Sequence, residues 1–145
     1  MANKYFVDTN ILLYAHDRSA GPKHQRARRL LEQLWQSGEG VLSTQVLQEF
    51  CLNLRRKVTP ALSATEVHNL IEDYLAWEIV TNSPESTLRA LEVETRYQTS
   101  FWDALILHAA ETAGAEVLYS EDLAHGQSYG SVKVVNPLLD ASPAV

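Results

Sequence analysis

At 145 residues, with 46% hydrophobic side chains, the chain is the size of one domain and can bury a core without staples. Its single cysteine, Cys51, excludes an internal disulfide and any cysteine-rich zinc site, and fits a reducing cytoplasm. A formal charge of −6 argues against a non-specific nucleic-acid binder, although Lys23, Arg26, Arg28 and Arg29 form one cationic cluster and Arg55, Arg56 and Lys57 a second.

Residues 4–7 are apolar and β-prone and stop at Asp8, which reads as a short buried strand. Residues 10–16 read as a short helix. Pro22 suits the first turn of a second helix. There Ala27, Leu30, Leu31, Leu34 and Trp35 recur at helical spacing until Gly38. Residues 40–43 form a second strand, and Ser43 or Thr44 caps a helix with Val46, Leu47, Phe50, Cys51 and Leu54 on one face. Pro60 and Ser63 mark a break. Ser63 with Glu66 is a capping-box pattern, opening a helix to about Ala76. Residues 77–81 are a third strand, Pro84 opens a helix to about Tyr97, and residues 102–113 form another that Gly114 ends. Residues 116–119 and 132–135 are the last strands. Helices between short apolar strands predict an α/β domain with a mostly parallel sheet. Residues 141–145 read as a loose tail. No stretch approaches the ~20 apolar residues that span a bilayer, and the opening MANKYFVDTN does not read as a signal peptide. The expectation is a soluble, cytoplasmic protein.

Four acids fall where an open α/β sheet places its sites, beyond the carboxyl ends of strands. Asp8 ends the first strand. Glu49 lies in the second turn of the helix after residues 40–43. Asp122 follows the strand ending at Tyr119, and Asp103 opens its own helix. Each also has an ordinary structural role. Asp8 suits a helix N-cap, and Asp103 suits the partner of Ser100 in a capping box. Glu49 reads alone as a solvated glutamate, and Asp122 as a turn residue. Asp103, however, shares a helix side with Ile106, Leu107 and Ala110, where a carboxylate needs a compensating partner.

Carboxylates gathered in one cleft suit Mg²⁺ or Mn²⁺, which take oxygen ligands and waters and activate phosphodiester hydrolysis without a nucleophilic side chain. An aspartyl-nucleophile phosphatase is the competing enzyme, but Asn10 stands where that chemistry generally wants a second acid. A catalytically inactive module that docks RNA or protein is the third reading, against which the presence of all four acids weighs. The basic clusters read first as solvated helix faces or helix ends, with contact to an RNA backbone left open. The five histidines lack metal-ligand spacing, and Trp77 and Trp102 read as core or interface.

The blocks YFVDTNILL, LSTQVLQEF, TSFWDALILHAA and VLYSEDL, in that order over roughly residues 4–138, resemble the PIN domain family, and especially the VapC-type toxins of bacterial toxin–antitoxin pairs. The resemblance implies a three-layer α/β/α sandwich and a Mg²⁺- or Mn²⁺-dependent endoribonuclease. It implies that Asp8, Glu49 and Asp103 match the three most constant acids and Asp122 the fourth. Asp122 is preferred over the adjacent Glu121 because it follows Ser120 by two residues. Thr9 and Ser120 would match small polar residues that orient the acids, and Asn10 the residue after the first motif. Homodimers, an RNA substrate and an antitoxin protein are also implied.

Overall fold

The computed structural model describes residues 3–139, so the tail expected at 141–145 lies outside the described residues. In chain order the elements are β1 (Tyr5–Val7), α1 (Thr9–His16), a 3₁₀ turn (Arg18–Ala20), α2 (Pro22–Ser37), β2 (Gly40–Ser43), α3 (Thr44–Arg56) and α4 (Ala64–Tyr74). There follow β3 (Glu78–Val80), α5 (Pro84–Tyr97), α6 (Phe101–Ala113), β4 (Val117–Tyr119), β5 (Ser128–Tyr129) and β6 (Val132–Val135). They build the expected α/β fold around one sheet of order β3-β2-β1-β4-β6-β5. Every pairing is parallel except the β5–β6 hairpin.

The central strands show why the sheet is parallel and covered. Phe6, Val7, Val41, Leu42, Leu118 and Tyr119 are all buried, so successive side chains on both faces meet protein rather than water. The chain steps from β1 to β2 to β3 in one direction and then returns to lay β4 on the far side of β1. Right-handed crossovers therefore put α1–α4 on one face and α5–α6 on the other. The packing agrees: α1 meets α2 and α3, α3 meets α4, α5 meets α6, and α6 lies across β2, β3, β4 and β6. The reversal of direction falls between β1 and β4, and a crevice opens there at the carboxyl edge.

Local chemistry sets the helix boundaries. The Ser43 hydroxyl accepts from the Val46 amide at 3.3 Å. Ser63 and Glu66 form the expected capping box, and Ser83 with Ser86 forms a second one that the sequence pattern did not flag. Helix α2 ends on Gly38 and α6 on Gly114, both in the left-handed conformation.

Several expectations need correcting. The third strand is shorter than residues 77–81, because Trp77 turns into the core and closes an aromatic cluster with Trp35 and Tyr74. Trp35 was placed on the apolar face of its helix, yet it is 41% exposed at the rim of that cluster. Trp102 is not core: it is 62% exposed in the first turn of α6. Cys51 is half-buried. Strand β5 went unseen because two residues carry no alternation. It exists only as the hairpin partner of β6, through a two-residue turn with Gly130 at φ 60°.

Candidate active site

Asp8 occupies the switch point. Its backbone amide donates to the Tyr119 carbonyl at 2.9 Å, extending the β1–β4 ladder by one residue. That register brings Ser120 alongside, and the Ser120 hydroxyl donates to Asp8 Oδ2 at 2.8 Å. The other oxygen, Oδ1, accepts from the Thr9 amide at 2.7 Å, so Asp8 is also the N-cap of α1. The capping role and a chemical role coexist in one carboxylate. Asp8 is only 5% exposed, and both oxygens are fixed by donors.

Glu49 is joined to the same corner. The Thr9 hydroxyl donates to Glu49 Oε1 at 2.7 Å, tying the start of α1 to the second turn of α3. Asp103 enters from the opposite layer. The Ser100 hydroxyl accepts from the Asp103 amide at 3.0 Å. The full capping box does not form, unlike at α4 and α5. The Asp103 carboxylate, half-buried, lines the cleft instead. Asp122 lies just beyond β4, and its amide donates to the Ser120 hydroxyl at 3.1 Å.

Glu121 and Asp122 are adjacent in sequence but differ in surroundings. Glu121 accepts from the Tyr14 hydroxyl at 2.8 Å and pairs with Lys23 at 2.6 Å. Burial alone would raise its carboxyl, but those two partners outweigh it and hold the group below the ordinary glutamate range. The Glu121 amide in turn donates to the Asn10 side-chain carbonyl at 3.3 Å. Asp122 makes no comparable pairing among the described residues, and its charge acts on Asp8 and Asp103.

All four acids line one open cleft of about 480 Å³, together with Thr9, Asn10 and Glu121. Their crowding shows in the titration of two of them. Burial pushes the Asp8 carboxyl up to about 7, against the pull of Ser120 and Thr9, and the charges of Asp122 and Asp103 add to the rise. Asp103 is raised too, first by burial and then by Asp122 and Glu49, with Ser100 opposing. Groups from β1, α3, α6 and the turn after β4 thus interact in one place. The cleft is also lined by Gln45 and Asn53 of α3, its C-cap residue Lys57, Trp102 of α6, and Asp17. Sequence reasoning gave none of these a place in it. The signal for Asn53 and Lys57 was available, since they follow Glu49 by four and eight residues on one helix row.

A family model for the PIN domain matches residues 5–127. The chain belongs to the PIN domain family. No curated protein matches its sequence significantly. Among solved structures this PIN domain is similar to Mycobacterium tuberculosis VapC20, described as a sarcin-ricin loop cleaving toxin. The identity is 23% and the TM-score 0.62, over 82% of this chain and 90% of that one. It is also similar to a chain of a toxin–antitoxin complex from Klebsiella pneumoniae, at 19% identity and TM-score 0.69, over 92% and 98%. A third likeness is to DNA-bound VapBC from Salmonella typhimurium, at 13% identity and TM-score 0.61, over 92% and 97%. At these identities the likeness establishes the fold.

The donor set of this PIN domain fits a hard divalent cation. It is all carboxylate, it is crowded enough to raise the Asp8 and Asp103 carboxyls, and Asp8 and Glu49 are oriented by hydroxyl donors. Among the described residues, no three acidic, histidine or cysteine side chains are drawn together tightly enough to hold an ion by themselves. Water ligands would complete the shell, as Mg²⁺ commonly requires.

Proposed function

We propose that this PIN domain is a metal-dependent endoribonuclease of the VapC toxin type. The observation that carries the reading is the convergence of Asp8, Glu49, Asp103 and Asp122 on one cleft at the β1–β4 switch point, with Asp8 buried between two donors. Those four side chains would hold Mg²⁺ or Mn²⁺. Such an ion, when bound, polarises a phosphoryl oxygen and lowers the pKa of an attached water.

The protein's own groups account for the rest. Thr9 and Ser120 orient the carboxylates of Glu49 and Asp8 toward the cleft corner they share. Burial keeps Asp8 protonated up to about pH 7 without a cation, so loading displaces a proton from it. Tyr14 and Lys23 hold Glu121 against the wall and partly neutralise it. Asp122 is therefore the fourth acid of this reading. Cys51 does not line the cleft, and its thiol is raised by burial, so a thiolate nucleophile has no support.

The wider role follows the VapC-like relatives: RNA as substrate, an antitoxin protein as partner, a homodimer as assembly and the cytoplasm as location. Solved relatives include toxin–antitoxin complexes. No described helix is long and apolar enough to cross a membrane. The deciding experiment is cleavage of a mixed RNA pool by the purified chain with Mg²⁺, with Mn²⁺ and with EDTA, beside Asp103→Asn. Cleavage that needs the ion and disappears in the folded variant supports the reading. Undiminished cleavage by Asp103→Asn, or by the wild type in EDTA, overturns it.

A further inference from the structure

Resting on the ribonuclease reading, we propose that one face of α3 is a track for the backbone of a single-stranded RNA, and that Lys57 holds a phosphate beside the scissile one. Gln45, Glu49, Asn53 and Lys57 recur every four residues, and all four line the acidic cleft. At 1.5 Å rise per residue, Lys57 lies about 12 Å along the axis from Glu49, roughly two nucleotides of extended strand. Asn53 stands between them with an amide that both donates and accepts.

Charge singles out Lys57. Among the described residues lining the cleft it is the one lysine or arginine, facing four acids as well as Asp17 and Glu121. Its neighbours Arg55 and Arg56 share the end of the helix but do not line the cleft. Four other cations are in ion pairs: Lys23 with Glu121, Arg28 with Glu32, Arg89 with Glu92 and Lys4 with Glu78. Lys57 is exposed and has no ion pair among the described residues. A polyanion approaching an acidic floor gains most from a cation set at the mouth, one step from the chemistry. The alternative role for Lys57, a cation favoured at a helix C-terminus, would affect stability and leave RNA untouched.

The test measures anisotropy of a labelled single-stranded oligoribonucleotide with the full chain carrying Asp8→Asn, in Mg²⁺, over a salt series. Adding Lys57→Gln is expected to weaken binding about five-fold at 0.1 M salt and to lower the slope of log K against log salt by about 0.7, the yield of one phosphate contact to a single strand. Lys57→Arg restores both. Arg56→Gln removes the same charge from the same helix end and changes binding less than about two-fold. A neutral methylphosphonate walked along the RNA weakens the Lys57 protein at one position, and that effect vanishes in Lys57→Gln. An unaltered slope in Lys57→Gln, an equal loss in Arg56→Gln, or no RNA binding by the parent overturns the track. Binding that depends on Lys57, from a wild type that does not cleave with Mg²⁺ or Mn²⁺, keeps the track and removes the ribonuclease. Cleavage indifferent to Lys57 does the reverse.

Discussion

Replacing Asp8 by asparagine is expected to stabilise the metal-free protein at alkaline pH while destroying its chemistry. The Asp8 carboxyl rises from 3.8 to about 7, chiefly through burial. Each unit corresponds to 1.36 kcal/mol, so ionising it in the folded chain costs about 4 kcal/mol more than in the unfolded one. The sign follows from the raised value. The favourable contribution of the neutral carboxyl is complete below pH 3.8 and is lost as pH rises through about 7. Asparagine stays neutral throughout. It also fits the existing partners: its Oδ1 accepts from the Thr9 amide, and its Nδ2 donates to Ser120 Oγ, whose hydroxyl turns away. Allowing for imperfect hydrogen bonds, about 2–4 kcal/mol should remain. For a chain of this length the unfolding entropy is about 0.3 kcal/mol/K, so Tm should rise by about 7–13 °C. The assay is thermal melting by circular dichroism in EDTA, wild type against Asp8→Asn, from pH 4 to pH 8.5. The advantage of the variant should be largest above pH 7 and vanish near pH 4. Adding Mg²⁺ at pH 8 should raise the wild type and leave the variant where it was. If Asp8→Asn melts at or below the wild type at pH 8 in EDTA, the carboxylate is not strained by burial and the reasoning is wrong.

Thr9→Val keeps the shape of the side chain but removes the donor to Glu49 Oε1. It should weaken Mg²⁺ activation of cleavage by about 10- to 100-fold, read from a metal titration, with a melt within a few degrees of wild type. Glu121→Gln should keep most activity because Tyr14 and Lys23 already occupy that carboxylate, whereas Asp122→Asn should lose most of it. Parallel single-turnover assays decide the order, and the reverse order would make Glu121 the fourth acid. Gly40→Ala tests the fold, since an added Cβ would sit 2.3 Å from the Trp77 ring. It should cost about 1–3 kcal/mol in a urea titration, and an unchanged midpoint would mean that the ring moves freely.

The helices and the central strands were legible because burial leaves a periodic trace. Leu30, Leu31 and Leu34 mark α2, and unbroken apolar runs mark strands covered on both faces. The short edge of the sheet left no such trace, so β5 was missed. The core half of the core-or-interface reading of Trp102 failed for a related reason: hydrophobicity alone cannot distinguish a ring packed under α6 from one at the mouth of a cleft. The acids were legible as residues at strand ends. The resemblance alone points to Thr9 and Ser120 as their orienting partners; which acid each serves was not legible, because Ser120 reaches Asp8 and Thr9 reaches Glu49 only through the parallel register of β1 with β4 and the packing of α1 on α3. In sequence only the two-residue spacing from Ser120 favoured Asp122 over Glu121. Tyr14 and Lys23, 107 and 98 residues away, make the distinction.

The geometry also explains why such a cleft carries an internal conflict. The topology forces Asp8 into the sheet, since the residue after β1 pairs with β4 and is left only 5% exposed. Two hydrogen bonds orient its oxygens but do not offset the loss of water, and the neighbouring carboxylates worsen the position. The metal-free chain meets this cost by holding a proton on Asp8 through about pH 7. On the proposed reading a divalent cation would meet it better, because one ion would screen Asp8, Glu49, Asp103 and Asp122 together whereas one proton serves only Asp8. Proton and metal would then compete for the same oxygens. The burial that weakens the empty fold at high pH would become a source of affinity for the cation.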